Sequence, residues 1–345
     1  MFATFLEKVG GLFDQRFMIA YWMPSFIGLS LLTTIVLVSL GWGRFFQWWA
    51  ALSGPEQAWL GLGSLLVITM AAYLLQTLPV VRLYEGYLLP DRIRTRAIST
   101  REWERNHLRK SFIDGPDTAQ GRNDYQIYHF NYPQDPNLVR PTRLGNVLTA
   151  AEEHPHTLYN MDAVVWWPRL APLLPDSFRV LLDQALTPML ALLNLSLLLA
   201  LVSLFGGAFL LVAEDSVSLI LVVFLGGIFL SWSLYRAALA QAASYANLVR
   251  VTFDLYRHEV LKQMRMIPPS DLIEERQVWE VLTQLFHRYI NPWDIAPTAA
   301  PDASQFPAPG RYPFEYQADD VVPPPTPVQA VVDARIRMER DDSAR

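Results

Sequence analysis

Cysteine is absent from all 345 residues, which excludes disulfides and thiolate-held metals. Charge is scarce: 18% of residues are Asp, Glu, Lys or Arg, against about 25% in an ordinary soluble domain. The shortage is local. It falls in four uncharged apolar runs, and the segments between them are ordinarily polar. Phosphate-loop and nucleophile signatures are missing too. Gly115 and Gly121 lack the lysine and the strand-to-helix setting of a phosphate loop, and no serine sits in a nucleophile elbow. His154 and His156 flank Pro155, which is expected to break a helix between them. Metal ligands on a helix want one-turn spacing, so neither a metal site nor a cofactor is expected.

The apolar runs cover residues 18–42, 58–81, 187–213 and 216–235. A helix rising about 1.5 Å per residue needs about 20 residues to cross roughly 30 Å of hydrocarbon. The expected fold is therefore mostly α and integral to a membrane. It has two transmembrane hairpins, residues 18–81 and 187–235, separated by an insertion over 82–186. A cytoplasmic helical extension over 236–290 and a disordered tail over 291–345 follow.

Basic residues close to a span mark the cytoplasmic side. Arg82, Arg92, Arg94, Arg96, Arg101, Arg105, Arg109 and Lys110 follow the second run. Arg236, Arg250, Arg257, Lys262 and Arg265 follow the fourth. The first and second runs are separated by Arg44 alone among basic residues, the third and fourth by Glu214 and Asp215. Both termini and the insertion are expected on the cytoplasmic side of a bacterial inner membrane.

Residues 1–17 carry apolar side chains at helical spacing, which predicts an interfacial amphipathic helix. Trp42, Phe45, Phe46, Trp48 and Trp49 predict an aromatic anchor in the first outer loop. Gly206, Gly207, Gly226 and Gly227 lie at similar depth on the last two spans. Small residues let helices approach closely in lipid, within the hairpin or between copies. From Ser231 to Met266 neither Pro nor Gly occurs, and Val249, Phe253, Tyr256 and Val260 form a heptad seam. One helix of about 50 residues is expected, near 75 Å long. A second helix from about residue 271, capped by Ser270, offers the stripe Leu272, Trp279, Leu282 and Phe286, either to the seam or to a partner chain.

In the insertion, the alternation Tyr128, Phe130 and Tyr132 predicts a strand after a polar loop over 114–124. The apolar run around Val164, Val165, Trp166 and Trp167 is expected to lie on the inner membrane face. The tail holds ten of the 25 prolines, with nine acidic residues against five basic ones, and cannot bury a core.

The spans offer little polarity beyond Ser, Thr, Gln76 and Asn194, which speaks against a proton-coupled carrier. A pore of several copies could be lined by Thr69, Asn194, Ser196 and Ser203. The basic stripe from Arg92 to Lys110 follows a span directly, so it is expected to meet anionic lipid rather than nucleic acid.

The stretches Arg140-Pro141-Thr142-Arg143-Leu144-Gly145-Asn146 and Asp162-Ala163-Val164-Val165-Trp166-Trp167-Pro168-Arg169-Leu170 resemble an uncharacterised bacterial four-span inner-membrane protein family. Arg82-Leu83-Tyr84-Glu85-Gly86-Tyr87 and Phe253-Asp254-Leu255-Tyr256-Arg257 share the resemblance. It spans residues 1–290, implies a bacterial origin and implies no activity.

Three functions follow as expectations. The leading one is a non-enzymatic membrane anchor or scaffold that holds a cytoplasmic protein through its extension and insertion, or associates with itself. The second is an oligomeric pore or membrane-perturbing effector. The third is a membrane-interface enzyme built on a polar cluster of Glu85, Arg143, Asn146, Asp162 and Arg169.

Overall fold

The computed structural model describes residues 14–213 and 215–288. Residues 1–13 of the expected interfacial helix, Glu214 and the tail lie outside the described residues. Four helices are long and apolar enough to cross a membrane. They are α1 (Gln15–Leu40), α3 (Gly54–Thr77), α9 (Asp176–Val212) and α10 (Val217–Gln263). They form two hairpins, as the apolar runs require.

The spans stand in a row in the order α3, α1, α9, α10. Helices α1 and α9 run parallel. A Cβ on Gly28 would sit 3.2 Å from Leu198, and one on Gly206 would sit 3.0 Å from Ile35. Helices α9 and α10 run antiparallel. Ser196 Oγ donates to the Ser231 carbonyl at 2.9 Å and Ser231 Oγ to the Ser196 carbonyl at 2.7 Å. Two turns further, Ser203 Oγ donates to the Phe224 carbonyl at 2.6 Å. In lipid no water competes for these groups, so small hydroxyls and glycines fix the register.

Thr69, Asn194, Ser196 and Ser203 therefore do not line a channel in the monomer. Each is spent on a helix contact: Trp22 Nε1 donates to Thr69 at 3.3 Å, and Asn194 donates to the Ala20 carbonyl at 2.7 Å. The glycine pairs divide. Gly206, Gly207 and Gly227 pack within the chain, whereas nothing lies within 4 Å of a Cβ on Gly226.

Both α9 and α10 continue out of the apolar zone without a break. Helix α9 has 37 residues and starts well before the expected span, running through Pro188. Helix α10 has 47 residues, about 70 Å of rise. The extramembrane body assembles on these two stalks. It contains α4 (Val80–Glu85), α5 (Asp91–Asp114), α6 (Ala119–Asn131), α7 (Arg143–Tyr159), α8 (Ala163–Leu170) and α11 (Leu272–Arg288). One hydrophobic core joins the span ends to the body. Leu193 of α9 and Ala238 of α10 belong to the same buried cluster as Trp166, Phe253 and Trp279.

The structure corrects several expectations. The first outer loop is a helix, α2 (Trp42–Ala51), because its aromatics recur at three- and four-residue steps after the turn at Gly41 (φ 89°). The expected strand is α6. Thr118 caps it by accepting from the Gly121 N–H at 2.9 Å. Tyr125 and Tyr128 sit at helical spacing, stacking on Phe112 and Arg105 respectively. Pro155 does not end α7, which continues to Tyr159 and stops at Asn160 in the left-handed region. The lost backbone bond is outweighed by tertiary ties. His154 Nε2 and Tyr159 Oη hold Asp254 of α10 at 2.8 and 2.9 Å.

The run around Trp166 is core rather than membrane-facing surface: Val165, Trp166, Leu170 and Leu174 are buried, whereas Val164 and Pro168 are exposed. The stripe of α11 packs mainly on α7 and α8 rather than on the seam of α10. Trp279 and Leu282 are buried there, Phe286 is half-buried against Trp166, and Leu272 stays exposed. Asp271, not Ser270, caps α11 by accepting from the Ile273 and Glu274 N–H groups at 2.8 and 2.9 Å.

Candidate functional site

Of the five expected cluster residues, four hold elements together and one lines a cavity. Asn146 is fully buried and clamps the loop before α7. Its Nδ2 donates to the Arg140 and Thr142 carbonyls at 2.8 and 2.7 Å, and its Oδ1 accepts from the Arg140 N–H at 2.8 Å. Arg143 pairs with Glu104 of α5 at 2.7 Å. Asp162 caps α8, accepting from the Val164 and Val165 N–H groups at 2.8 and 3.2 Å. Arg169 donates to the Val165 carbonyl at 2.6 Å and lies 4.4 Å over the Phe286 ring. These four hold elements together.

Glu85 is different. It is the last residue of α4 and lines a cavity of about 410 Å³. The clamp formed by Asn146 positions it. Gly86 follows at φ 90°, where a Cβ would strike Pro141 at 2.4 Å, and a Cβ on Gly145 would lie 2.9 Å from the Glu85 carbonyl. Only glycine allows these backbones so close. Glu152 of α7 shares the cavity. The remaining wall is mostly apolar, with Leu148, Met189, Trp167, Tyr245, Val249 and Phe253 among its members. The cavity lies where α9 and α10 leave the apolar zone.

Neither carboxylate has a hydrogen bond or ion pair among the described residues. Burial pushes the Glu85 carboxyl up to about 7, the Glu152 charge adds to the rise, and Arg140 and Arg82 oppose it. Glu152 also titrates above its ordinary range. Burial is the main cause, with Arg140 opposing and Asp162 adding. Glu152 is reached by water because the cavity is open, but its concave walls displace the bulk solvent that would stabilise a charge. Glu85 can hold and exchange a proton near neutrality, and a cavity bordered by two carboxylates can accept a cationic group.

Glu152 is solvent-exposed and still lines the cavity. It follows Leu148 by four residues, on the face of α7 that borders the cavity. Its neighbour Glu153 turns away and accepts from the Gln134 and Asp135 N–H groups at 2.5 and 2.8 Å.

A second cleft lies on the other side of α7. It holds about 340 Å³ between the α5–α6 arm and α10, and adjoins one of about 230 Å³. Arg143, Arg236 and Leu239 line both. Glu104 at its floor stays below the usual carboxylate range. Burial works against this, and a hydrogen bond from Tyr132 together with the charges of Arg143 and Arg101 outweighs it.

The chain matches no protein-family profile, no curated protein and no solved structure. The resemblance carried by the Arg140 to Leu170 stretches thus gains no family from these comparisons, and the chain stands as a four-span helical membrane protein.

Proposed function

We propose that this chain is a non-enzymatic scaffold of a bacterial inner membrane, with its body and both termini in the cytoplasm. One observation carries the reading: α9 and α10 run unbroken from the spans into the body, and a single core fuses the two. Such a body cannot swing freely, so anything docked on it is held at a set place above the membrane. The basic bias of the loops supports the orientation.

The docking element is the α5–α6 arm rather than the extension. Trp103 is 67% exposed on α5 and Ile113 60% exposed, among the exposed bases Arg109 and Lys110. This mixture suits a protein partner with an acidic, partly apolar face. Photocrosslinkers placed at Trp103 and at Ile113 in cells should capture one and the same polypeptide, and one placed at Val164 should not. Crosslinks to lipid alone, from a protein that purifies as a monomer, would sink the proposal.

A second reading, self-assembly into a pore or membrane-perturbing effector, draws on Gly226. Open space at its Cβ position, beside exposed Val222, Leu225 and Phe229, leaves room for another copy. Dye efflux from liposomes holding the purified protein tests it, and tight liposomes would remove it.

A further inference from the structure

Three arginines from three elements meet at the membrane end of the second cleft. Arg101 comes from α5, Arg143 from the start of α7 and Arg236 from α10. Glu104 presents one carboxylate oxygen to Arg101 and the other to Arg143, which fixes both guanidinium groups in direction. Three positive charges against one negative charge leave a local excess of two. Arg101 Nε is buried without an acceptor. Arg236 has no hydrogen bond or ion pair among the described residues and only lies over the Trp232 ring at 5.8 Å. Arg236, exposed and lining the cleft, therefore has donor capacity left over.

The level of the cleft matters as much as its charge. Arg236 is the first charged residue after the apolar run of α10. Trp232 and Tyr235 stand beside it on the same face, at three- and four-residue spacing with Leu239. Aromatic side chains of this kind mark the headgroup level. Tyr235 is stacked on Tyr84 at 5.4 Å and so is held in place. On the membrane side of Trp232, Phe229 is exposed and offers an apolar track for acyl chains.

We propose that this cleft binds the phosphodiester of an anionic phospholipid, with Arg236, Arg101 and Arg143 as donors and Trp232 and Phe229 against the chains. Guanidinium groups suit the site because they donate in a fixed fork to phosphate oxygens. Arg92, Arg94 and Arg96 are exposed on the surface of α5 and provide diffuse attraction.

The test is native mass spectrometry of the purified full chain in neutral detergent. It is titrated separately with phosphatidylglycerol, phosphatidylcholine and inorganic phosphate. Phosphatidylglycerol should bind in preference to phosphatidylcholine. Arg236→Gln should weaken that binding about 5-fold, since one membrane-proximal arginine contributes roughly 1 kcal/mol. Arg236→Lys keeps the charge but loses the fork and should fall between the two. Arg92→Gln combined with Arg94→Gln should leave the preference intact. Because Arg236 makes no hydrogen bond or ion pair among the described residues and its ring contact with Trp232 is exposed, its variants should keep the wild-type melting temperature. Equal binding of the two lipids, or an Arg236→Gln protein that binds like wild type, would overturn the site. Inorganic phosphate competing on equal terms would overturn the lipid assignment in favour of a free anion.

Discussion

Asn194 Nδ2 donates to the Ala20 carbonyl at 2.7 Å, four residues before Pro24. The spacing explains the contact. A helix residue at position 24 would normally donate its N–H to that carbonyl, and proline has none. The helix answers with a π-helical turn over Met18–Trp22, and α9 supplies the missing donor from its one asparagine. Exchange of Asn194 for Leu should cost about 1 kcal/mol, within the range for single polar contacts between spans. Pro24→Ala restores a backbone donor, so it should recover part of that loss in the Asn194→Leu protein. Thermal unfolding in detergent gives the four values of the cycle. Equal effects of Pro24→Ala with and without Asn194 would mean that the two sites are independent.

The glycines of the last hairpin should differ sharply. A Cβ on Gly227 would stand 2.7 Å from the Ser203 Cβ, and one on Gly206 3.0 Å from Ile35. Gly227→Leu and Gly206→Leu should each destabilise the monomer by about 1–3 kcal/mol, as overpacking does. Gly226→Leu points into open space and should leave the melting temperature unchanged. Its informative readout is mass in detergent: a loss of oligomer on this substitution alone would place a second copy against Gly226.

Glu85 should make the fold pH-dependent in an unusual direction. Its carboxyl titrates near 7 when folded and near the ordinary glutamate value of about 4.3 when unfolded. Between those values the folded state binds more protons than the unfolded one, so stability falls as pH rises through that window. Above about pH 7 the loss is complete. Water in the open cavity and coupling to Glu152 reduce the effect to about 1 kcal/mol. Glu85→Gln should flatten the profile and raise the melting temperature at pH 8 but not at pH 5. A wild-type protein whose melting temperature is constant between pH 5 and pH 8 would contradict this account.

The membrane fold was legible because a bilayer imposes a length and forbids interior charge, and both are visible in the composition of 20-residue windows. The body was harder to read for reasons that individual residues expose. Tyr128, Phe130 and Tyr132 alternate like a strand, yet the contacts that decide the matter come from Arg105 and Phe112 on another helix. Pro155 has a strong local preference against helix, which Asp254, about a hundred residues away, overrides. The polar cluster was assembled from residues that looked out of place in apolar segments. Asn146, Asp162 and Arg169 are indeed special, but as a clamp, a cap and a bridge. Local sequence marks such residues as constrained without saying whether a ligand or a loop constrains them. Glu152 and Arg236 were hidden for the opposite reason: each is an exposed charge, and only the neighbouring helices show that it borders a cleft.

The attachment of α11 is open to a direct test at Trp279. Its ring meets Trp166 edge to face at 4.9 Å, and its Nε1 donates to Glu275 at 3.2 Å. Glu275 in turn receives Arg257 of α10 at 2.6 Å, and Trp166 Nε1 donates to Thr283 at 2.8 Å. One indole thus supports both the apolar and the ionic half of the joint. Trp279→Ala should cost about 3–5 kcal/mol, the range for emptying a buried aromatic site, and it leaves the Arg257–Glu275 pair open to water. The spans bury their own surfaces in lipid and should persist, so the expected result is local: α11 detaches and the linker around Pro268 and Pro269 becomes sensitive to protease. Leu272→Ala, at an exposed position of the same helix, should change nothing. If Trp279→Ala left the linker as protected as in the wild type, the tryptophan pair would not be what closes α11 onto the body, and the Arg257–Glu275 bridge alone would have to account for its docking.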